Sequence, residues 1–463
     1  MRVSHYTTAI NLTAERSLLM NHPRNILDFV SVRVAEAVRS GQLEQLSDDT
    51  RNRLFEKGYL TDEDSDTEIA WLSRKMDAIE AGLEGSGAVR SYCFITSYRC
   101  NLACSYCFQS NETARIVTNR MLTLDQARAG LAVMDADVAS GRVDPEQTNP
   151  VLLFGGEPLL PNQRDVVELI VSECRRMGFK VSATTNGVFL HLFEELLGPD
   201  GISHMQVSLD GDAAAHDRRR IPVNGKPTFS GIWKNVVLAL ERGARVDLRA
   251  NLDQRNLDSF ADLVDFVAEE GYLEHPGLSL RYARVVPDFE SADGHADVAL
   301  AWSDIETRLT EQMASRPNLA RVAAPSDIET FATWVREKYP QKASRHCGAV
   351  QGNTYFGPDN ELYNCHETSG RVELSIGRYT DHGIVYNGRA QLWQGRRADH
   401  LSRCSKCPFV TTCAGGCAAR VDLDGEPLAS NCDNFANTFA ESIRRVYLTD
   451  GAPNIHELAA ASC

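Results

Sequence analysis

The sequence predicts an α/β fold in which a partial (β/α)6, TIM-like barrel follows a small N-terminal hairpin-and-helix module and precedes a cysteine-rich C-terminal region. Three observations predict it. Six apolar segments of strand length alternate with helical patterns between residues 89 and 297, which is typical of parallel strands joined by crossover helices. The first 88 residues follow a different pattern, and ten of the thirteen cysteines fall into two groups.

Length and composition indicate a folded chain of two or three domains, since 463 residues exceed what one small core needs. The net charge of −15 argues against a nucleic-acid or anionic-membrane partner, which would select for basic surfaces. We expect neither a signal peptide nor a membrane-spanning helix, and therefore a cytoplasmic protein. In a reducing compartment thirteen cysteines favour metal or redox chemistry over disulfides.

The N-terminal module is predicted to span residues 1–88. A hairpin is expected from Tyr6–Asn11 and Ser17–Asn21, and Glu84–Ala88 is typical of a linker. Helical patterns follow the hairpin at Ile26–Arg39, Gln42–Glu56 and Glu63–Ala81.

The partial barrel is predicted for residues 89–297, followed by a helical linker (298–344), a cysteine-rich domain (345–435) and a C-terminal helix and tail (436–463). The six strands are expected in VRSYCFITS, PVLLFGGEP, FKVSATTNG, HMQVSLDG, ARVDLRANLD and LSLRYARV. Helices are expected from Thr123 and at Arg164–Met177, Thr228–Arg242, Leu257–Glu270, Val298–Ser315, Ser326–Lys338 and Asn434–Tyr447.

Polar clusters follow four of the predicted strands. Three cysteines follow the first, Gly155-Gly156-Glu157-Pro158 the second, Thr185-Asn186-Gly187 the third, and Ser208 and Asp210 the fourth. The carboxyl ends of barrel strands meet at one rim, where active sites of such barrels lie. The sequence therefore predicts an active site at this rim.

The first group of thiols is Cys100, Cys104 and Cys107, with Tyr106 directly before the third. Three thiolates complete neither a tetrahedral zinc site nor the four ligands of a cubane iron–sulfur cluster. One interpretation is structural zinc with a distant fourth ligand. The other is a 4Fe–4S cluster with one iron open to a small molecule, with Tyr106 packed beside it.

The pattern Cys100-x3-Cys104-x-Tyr106-Cys107 resembles the signature of the radical S-adenosylmethionine (SAM) enzymes. The resemblance implies that SAM binds the open iron and that its reduction yields methionine and a 5′-deoxyadenosyl radical, which abstracts a hydrogen atom. It also implies an electron donor such as flavodoxin or ferredoxin.

The other rim residues suit SAM as a ligand. By resemblance, Gly155, Gly156 and Glu157 hold the methionine amino group, and glycine backbone allows close approach. Ser208 and Arg220 are placed like the family's carboxylate-binding pair, and an arginine fork matches a carboxylate. Asn186 and Asn251 are either strand-end caps or cofactor contacts.

The second group of thiols contains Cys347, Cys365, Cys404, Cys407, Cys413, Cys417 and Cys432. Two closed zinc sites would need eight ligands. The array resembles the SPASM domain of peptide-modifying radical SAM enzymes, which carries two auxiliary 4Fe–4S clusters, making three clusters in all. The resemblance assigns Cys404, Cys407, Cys413 and Cys432 to one cluster and Cys347, Cys365 and Cys417 to the other.

The Cys347 set is one ligand short, so its cluster has an open iron or takes another ligand. His346 and His366 are adjacent candidates, and His366 and Glu367 are candidates for a catalytic proton acceptor. Sulfatase-maturating relatives have aspartate at the position of His366. The family's glycine is replaced by Asn360, and we expect a positive φ there.

The resemblance implies a two-electron oxidation of an unreactive C–H bond, and the expected function is modification or crosslinking of a ribosomally made precursor peptide. Formylglycine formation on a sulfatase and a non-catalytic zinc scaffold are the alternatives. The N-terminal module resembles leader-peptide recognition modules, and HYTTAINL could pair with a peptide by strand addition. The N-terminal module could equally be a cap that only packs on the barrel.

Overall fold

The computed structural model describes residues 1–85, 91–107, 109, 120–223, 225–285, 298–322, 342–423, 425–426, 428–432 and 435–450. The chain groups into two compact units. The terminal unit comprises Met1–Ala88, Ser326–Gln351 and Leu392–Cys463, and the barrel unit comprises Val89–Pro325 and Gly352–Gln391. In the described ranges, no helix has the length and apolar character needed to cross a bilayer.

Six parallel strands form the barrel unit in sequence order, which confirms the predicted fold class. Helices on the connections cover the sheet, and Thr123 caps its helix with a reciprocal capping box. The strands are β6 (Tyr92–Ser97), β7 (Val151–Gly155), β8 (Val181–Thr185), β9 (Ile202–Ser208), β10 (Arg245–Leu252) and β11 (Leu278–Arg284), and the helices are α4 (Leu124–Ala139), α5 (Arg164–Met177), α6 (Ala213–Arg219), α7 (Phe229–Glu241), α8 (Leu257–Glu269) and α9 (Trp302–Met313).

Four short strands from residues 352–391 extend this sheet beyond β6, which the sequence analysis did not predict. β12 (Thr354–Phe356) pairs parallel with β6, and β13 (Glu361–Tyr363), β14 (Gly377–Thr380) and β15 (Gly383–Tyr386) follow antiparallel. Phe356 is fully buried against Tyr92 and Phe94. The predicted domain 345–435 is thus divided between the two units.

Alternation along the strands separates a helix-covered face from a polar face. In β10, Val246, Leu248, Ala250 and Leu252 are buried in the main core, whereas Asp247, Arg249 and Asn251 are partly exposed. Successive side chains of a strand point to opposite faces. The polar face therefore carries the residues available to a ligand.

The terminal unit begins with a three-stranded antiparallel sheet in the order β2-β3-β4. Two short strands, β1 (Arg2–Val3) and β5 (Leu60–Thr61), pair beside it. The sheet strands are β2 (Thr7–Asn11), β3 (Arg16–Asn21) and β4 (Ile26–Ser31), and the helices are α1 (Val32–Ser40), α2 (Asp48–Lys57) and α3 (Ser65–Gly85).

The helix predicted for Ile26–Arg39 is wrong in its first half, because residues 26–31 form β4 and Ser31 caps α1. In β4, Phe29 is buried in the core of one sheet face and Val30 in that of the other. A strand buried on both faces carries an apolar run that periodicity alone does not distinguish from a helix.

The C-terminal cysteine region shares a hydrophobic core with the N-terminal sheet. Ile10, Leu18, Met20 and Phe29 pack with Phe409, Phe439 and Ile443. The later helices are α10 (Gly388–Gln394), α11 (Val410–Cys413), α12 (Ala418–Leu423) and α13 (Phe435–Asp450). The predicted helix Ser326–Lys338 and the last cysteine, Cys463, lie outside the described residues.

Candidate active site at the strand ends

The loop after β6 carries the three clustered thiols. Cys100 is exposed, Cys104 is buried and Cys107 is half-buried. The loop is fastened to the C-terminal end of α6 and the residues after it, because Ser105 N donates to Arg219 O at 3.2 Å and Ala103 N donates to Ile221 O at 2.7 Å. These backbone contacts hold the thiols in one short turn.

Gly155 and Gly156 bring the end of β7 against this cysteine loop. Gly156 N donates to Ser97 O at 2.8 Å. A Cβ on Gly155 would lie 2.0 Å from Ser97 O, and one on Gly156 would lie 2.5 Å from Arg99 O. Both positions therefore require glycine for close backbone packing, a role that the sequence analysis did not assign to them.

Glu157 is 1% exposed and joins the ends of β7 and β8. Its carboxylate accepts hydrogen bonds from Thr185 Oγ1 at 2.6 Å, Asn186 N at 2.7 Å and Leu159 N at 2.9 Å. Burial raises the pKa of Glu157, and these hydrogen bonds oppose the shift. Its assignment to the SAM amino group stays a prediction.

Asn186 connects β8 to the cysteine loop. Its Nδ2 donates to Asn101 Oδ1 at 2.7 Å and lies 3.7 Å from Cys100 Sγ. Its Oδ1 accepts from Val188 N at 3.0 Å. The side chain therefore caps a strand end and contacts the thiol loop.

Arg220 is buried beside the same loop. Its Nη1 donates to the Tyr106 hydroxyl at 2.5 Å, and its buried Nε has no hydrogen-bond partner among the described residues. Asn251 Nδ2 also donates to the Tyr106 hydroxyl, at 3.2 Å. The structure thus brings Arg220 and Asn251 together around the tyrosine of the cysteine pattern.

The sequence analysis missed a second arginine that completes this network. Arg219 Nη1 donates to Asp253 at 2.7 Å, its Nε lies 3.6 Å from Asp210, and its guanidinium lies 5.0 Å from the Tyr106 ring centroid. Asp210 also accepts from Asn251 N at 3.0 Å. The basic run and the aspartates at the ends of β9 and β10 were visible in the sequence, but their pairing was not.

The polar face of the sheet presents further side chains towards this rim. Ser208 at the end of β9 is directly opposite Arg249 of β10 in the strand register. Arg249 Nε is buried without a hydrogen-bond partner in the described part of the chain, and burial lowers the pKa of Arg249. The sequence analysis did not single out Arg249.

His366 and Glu367 follow β13 in the barrel unit. The His366 ring centroid lies 5.7 Å from that of Phe154 at the end of β7, and His366 Nε2 lies 3.5 Å from Glu367 Oε1. Asn360 has φ of 63°, as predicted. The two candidate proton acceptors therefore lie beside the end of a barrel strand.

Four thiols of the terminal unit influence one another. Burial raises the pKa of the Cys413 thiol to about 12, and the neighbouring thiols of Cys404, Cys407 and Cys432 add to the shift. Cys407 N donates to Cys404 O at 3.0 Å, and Cys413 lies at the end of α11. The assignment of these four residues to one cluster stays a prediction.

The second cysteine set is divided between the units. Cys347 and Cys417 belong to the terminal unit. Burial raises the pKa of the Cys347 thiol, and the nearby Cys417 thiol raises it further. Cys365 belongs to the barrel unit. His346 Nδ1 lies 2.8 Å from Cys413 O, so one ring nitrogen of this candidate ligand has a partner.

Among the described residues, no group of three or more His, Cys, Asp or Glu side chains is placed to hold a single metal ion. Each thiolate of a cubane binds a different iron atom, so the thiols need not converge on one point. The charge of the buried Arg220 beside Cys104 also suits a thiolate ligand.

Comparisons with known proteins identify a family and several similar chains. Residues 94–267 match the family model described as the Radical SAM superfamily. The chain is 26% identical over 316 residues to GTP 3′,8-cyclase 2 from Mycobacterium tuberculosis, covering 64% of this chain and 80% of that protein. It is 23% identical over 343 residues to the serine-type anaerobic sulfatase-maturating enzyme of Klebsiella aerogenes, covering 70% and 78%.

Two solved structures share the fold. The structure of anSMEcpe with bound AdoMet is matched with a TM-score of 0.57 and 15% identity, over 77% of this chain and 94% of that one. SuiB from Streptococcus suis, bound to precursor peptide SuiA, is matched with a TM-score of 0.52 and 14% identity, over 94% and 99%. A match over 94% of the chain must include most of the N-terminal module.

Proposed function

Because this chain is a radical SAM enzyme with a radical SAM domain at residues 94–267, we propose that it oxidises a side chain of a ribosomally made precursor peptide, forming a crosslink or modified residue. The observation that carries the proposal is the combination of the thiol-bearing rim with an N-terminal sheet-and-helix module. The likeness to SuiB spans both.

The residues of the rim would hold the cofactors. Cys100, Cys104 and Cys107 would hold the first 4Fe–4S cluster, and Ser208 and Arg220 would hold the SAM carboxylate. The two C-terminal cysteine sets would hold auxiliary clusters. When bound, SAM and these clusters supply a 5′-deoxyadenosyl radical and an acceptor for the second electron of the oxidation.

The remaining rim residues would orient and deprotonate the substrate. Loss of two hydrogens from the peptide would amount to one hydrogen atom taken by the radical, followed by one electron for an auxiliary cluster and one proton for a base. His366 and Glu367 lie beside Phe154 at the end of β7, where they can accept that proton. The network of Tyr106, Arg219 and Asp253 would keep the cysteine loop in place.

We place the peptide's leader segment on β4 of the N-terminal sheet. β2, which contains part of HYTTAINL, is also an edge strand, but its Asn11 O already accepts from Arg444 Nε at 2.7 Å. In the described residues β4 pairs with β3 alone. An edge strand has outward backbone groups that can pair with an added strand.

A groove of about 550 Å³ begins at the first residue of β4. Apolar, basic and acidic side chains share its lining, and the Arg24 guanidinium lies 4.2 Å from the Trp71 ring centroid. The groove would hold alternate apolar side chains of an extended leader beside Trp71. The lining residues are the apolar Ile26, Phe55, Leu60 and Trp71, the basic Arg24, Lys57 and Lys75, the acidic Glu56, Asp62 and Glu63, and Gly58 and Thr61.

The test is co-expression of the enzyme with each short reading frame next to its gene, followed by peptide mass spectrometry. We expect one peptide to lose two hydrogens, and Cys104→Ala to abolish the loss. Cys174→Ala is the matched control, because Cys174 is buried in α5 outside both thiol groups. Unchanged masses with the wild-type enzyme would contradict the proposal.

A separate arm examines the sulfatase alternative, which the relative from Klebsiella aerogenes favours. The enzyme is incubated with a serine-type sulfatase peptide, and the product is treated with a hydrazide. An aldehyde on that peptide, with no change in any neighbouring peptide, would replace precursor maturation by formylglycine formation.

The leader site is tested by Trp71→Ala. We expect at least a roughly tenfold loss of precursor modification, because loss of a buried aromatic contact costs on the order of 2 kcal/mol. SAM cleavage without peptide should not change. Tyr386→Ala, which removes an exposed aromatic ring in the barrel unit, is the control, and equal losses in both variants would refute the site.

A further inference from the structure

Arg249 is a half-buried arginine on the polar face of β10, inside the barrel unit. In the strand register it lies opposite Ser208 of β9 on one side and Arg281 of β11 on the other. Its Nε is buried without a hydrogen-bond partner, and within the described ranges its side chain has neither an ion pair nor a hydrogen bond. Because the side chain is only half-buried, a ligand can still reach it.

Two aspartates near Arg249 along the sheet have other partners. Asp247, two residues earlier on the same face, lies 3.0 Å from His204 Nε2 through its Oδ2. Asp210, after the end of β9, lies 3.6 Å from Arg219 Nε. Burial lowers the pKa of Arg249 more than the acidic groups around it raise it. A buried cation without an adjacent counter-charge is costly to the fold and is stabilised when an anion binds beside it.

Arg249 also lies close to the cysteine loop. Asn251, two residues later on the same face, donates to the Tyr106 hydroxyl at 3.2 Å, and two residues of a strand span about 7 Å. Arg220 donates to the same hydroxyl at 2.5 Å. The proposed function assigns Arg220 to the SAM carboxylate, so Arg249 is available to a second anion next to the cofactor.

We propose that Arg249 binds a carboxylate of the substrate, namely an Asp or Glu side chain of the precursor's core, at or next to the residue that is modified. This rests on the proposed function, because it takes the substrate to be a peptide. An arginine fork donates two parallel hydrogen bonds to a carboxylate. A neutral peptide would leave the buried charge unmatched, so the site selects acidic core sequences.

The first test uses a small probe instead of the precursor. Reconstituted enzyme saturated with SAM is titrated with N-acetyl-glutamate α-amide or with the neutral N-acetyl-glutamine amide, and the melting temperature reports binding. We expect only the acid to stabilise the wild type. Its Kd should rise at least roughly tenfold in Arg249→Gln, because removing one partner of a charge pair is costly. Arg249→Lys should recover part of the affinity.

Arg245→Gln is the matched control, because Arg245 is an exposed arginine on the same face of the same strand. It should bind the acid as the wild type does. Without any probe, Arg249→Gln should melt at or above the wild-type temperature, since it removes a buried charge that no neighbour offsets. A lower melting temperature would show that the guanidinium serves the fold rather than a ligand, and would overturn the proposal.

Other outcomes of the titration would also overturn it. One is a wild type that responds equally to the acid and the amide, or to neither. Another is stabilisation by GTP but not by the acid; GTP is included because one relative is a GTP cyclase. A third is an Arg249→Gln variant that binds SAM more weakly but the acid as well as the wild type does.

The second test uses the precursor whose mass changes on co-expression. Each Asp and Glu of its core is replaced in turn by Asn or Gln. One replacement should reduce modification by the wild type at least roughly tenfold and cause little further loss with Arg249→Gln, since both changes remove the same pair. Modification that survives every replacement, or independent losses from the two changes, would overturn the pairing. If no precursor changes mass, the proposed function fails, and the acid–amide titration still decides the site.

Discussion

Replacement of Glu157 by glutamine tests whether this buried carboxylate orders the rim before any ligand binds. Glutamine has nearly the same shape but presents one oxygen and one amino group. Oε1 of Glu157 accepts from Thr185 Oγ1 and Leu159 N, and Oε2 accepts from Asn186 N. The least costly orientation keeps the first two bonds and places the new amino group against the Asn186 amide.

The size of the effect follows from that lost bond. A hydrogen bond to a charged acceptor contributes about 1.5–3 kcal/mol, and a buried donor without an acceptor is costly. A loss of about 2 kcal/mol corresponds to roughly 30-fold faster local opening. We therefore expect the Asn186 amide of Glu157→Gln to exchange with deuterium about 30-fold faster than in the wild type, with no SAM present.

The assay is hydrogen–deuterium exchange of the unloaded protein, followed by mass spectrometry of peptides that cover residues 155–160 and 182–190. Glu168→Gln is the control, because Glu168 is a partly exposed residue of α5 paired with Arg164. Unchanged exchange at Asn186 would refute the structural role of Glu157. Its carboxylate would then be free to serve mainly as a ligand for the SAM amino group.

Three further perturbations test the fold around the site. Gly156→Ala should abolish iron binding by the first cysteine group, because its Cβ would lie 2.5 Å from Arg99 O, and iron analysis measures this. Burial and then Arg220 lower the pKa of His216 from 6.5 to about 4. The unfolded chain therefore takes up the proton first, and the free energy of unfolding of the barrel unit should fall by up to about 3 kcal/mol as the pH falls from 6.5 to 4. Thermal melts over this pH range should show a smaller fall in melting temperature for His216→Gln than for the wild type. Asn25 has φ of 59°, so Asn25→Ala should destabilise the terminal unit by about 1 kcal/mol and Asn25→Gly should not, as measured by denaturant unfolding.

The barrel was predictable because its signals are local. Each strand is a short apolar run ended by glycine or polar residues, and helix limits such as Arg164–Met177 coincide with periodicity in the sequence. Alternation of strands and helices permits few topologies. The clusters after four strands could therefore be placed on one rim without knowledge of distances.

The site contacts were less predictable, because they join residues far apart in the chain. Glu157 was recognised as a rim residue, but its bonds to Thr185 and Asn186 depend on the packing of β7 against β8. Arg219 and Arg220 are neighbours in one basic run, yet Arg219 pairs with Asp253 and Arg220 with Tyr106. A sequence does not show towards which partner a helix end turns.

The chemistry was encoded locally: the thiol spacings, the glycine pair and the strand–helix rhythm all act over a few residues, so the sequence alone was enough to indicate iron–sulfur and SAM binding. Tertiary structure decided how distant segments combine. It turned residues 26–31 into a strand, added residues 352–391 to the barrel sheet, and joined the N-terminal sheet to the cysteine region through one core. The reason is physical: apolar area is buried wherever a complementary surface exists, and that complementarity is a property of the folded chain rather than of any segment.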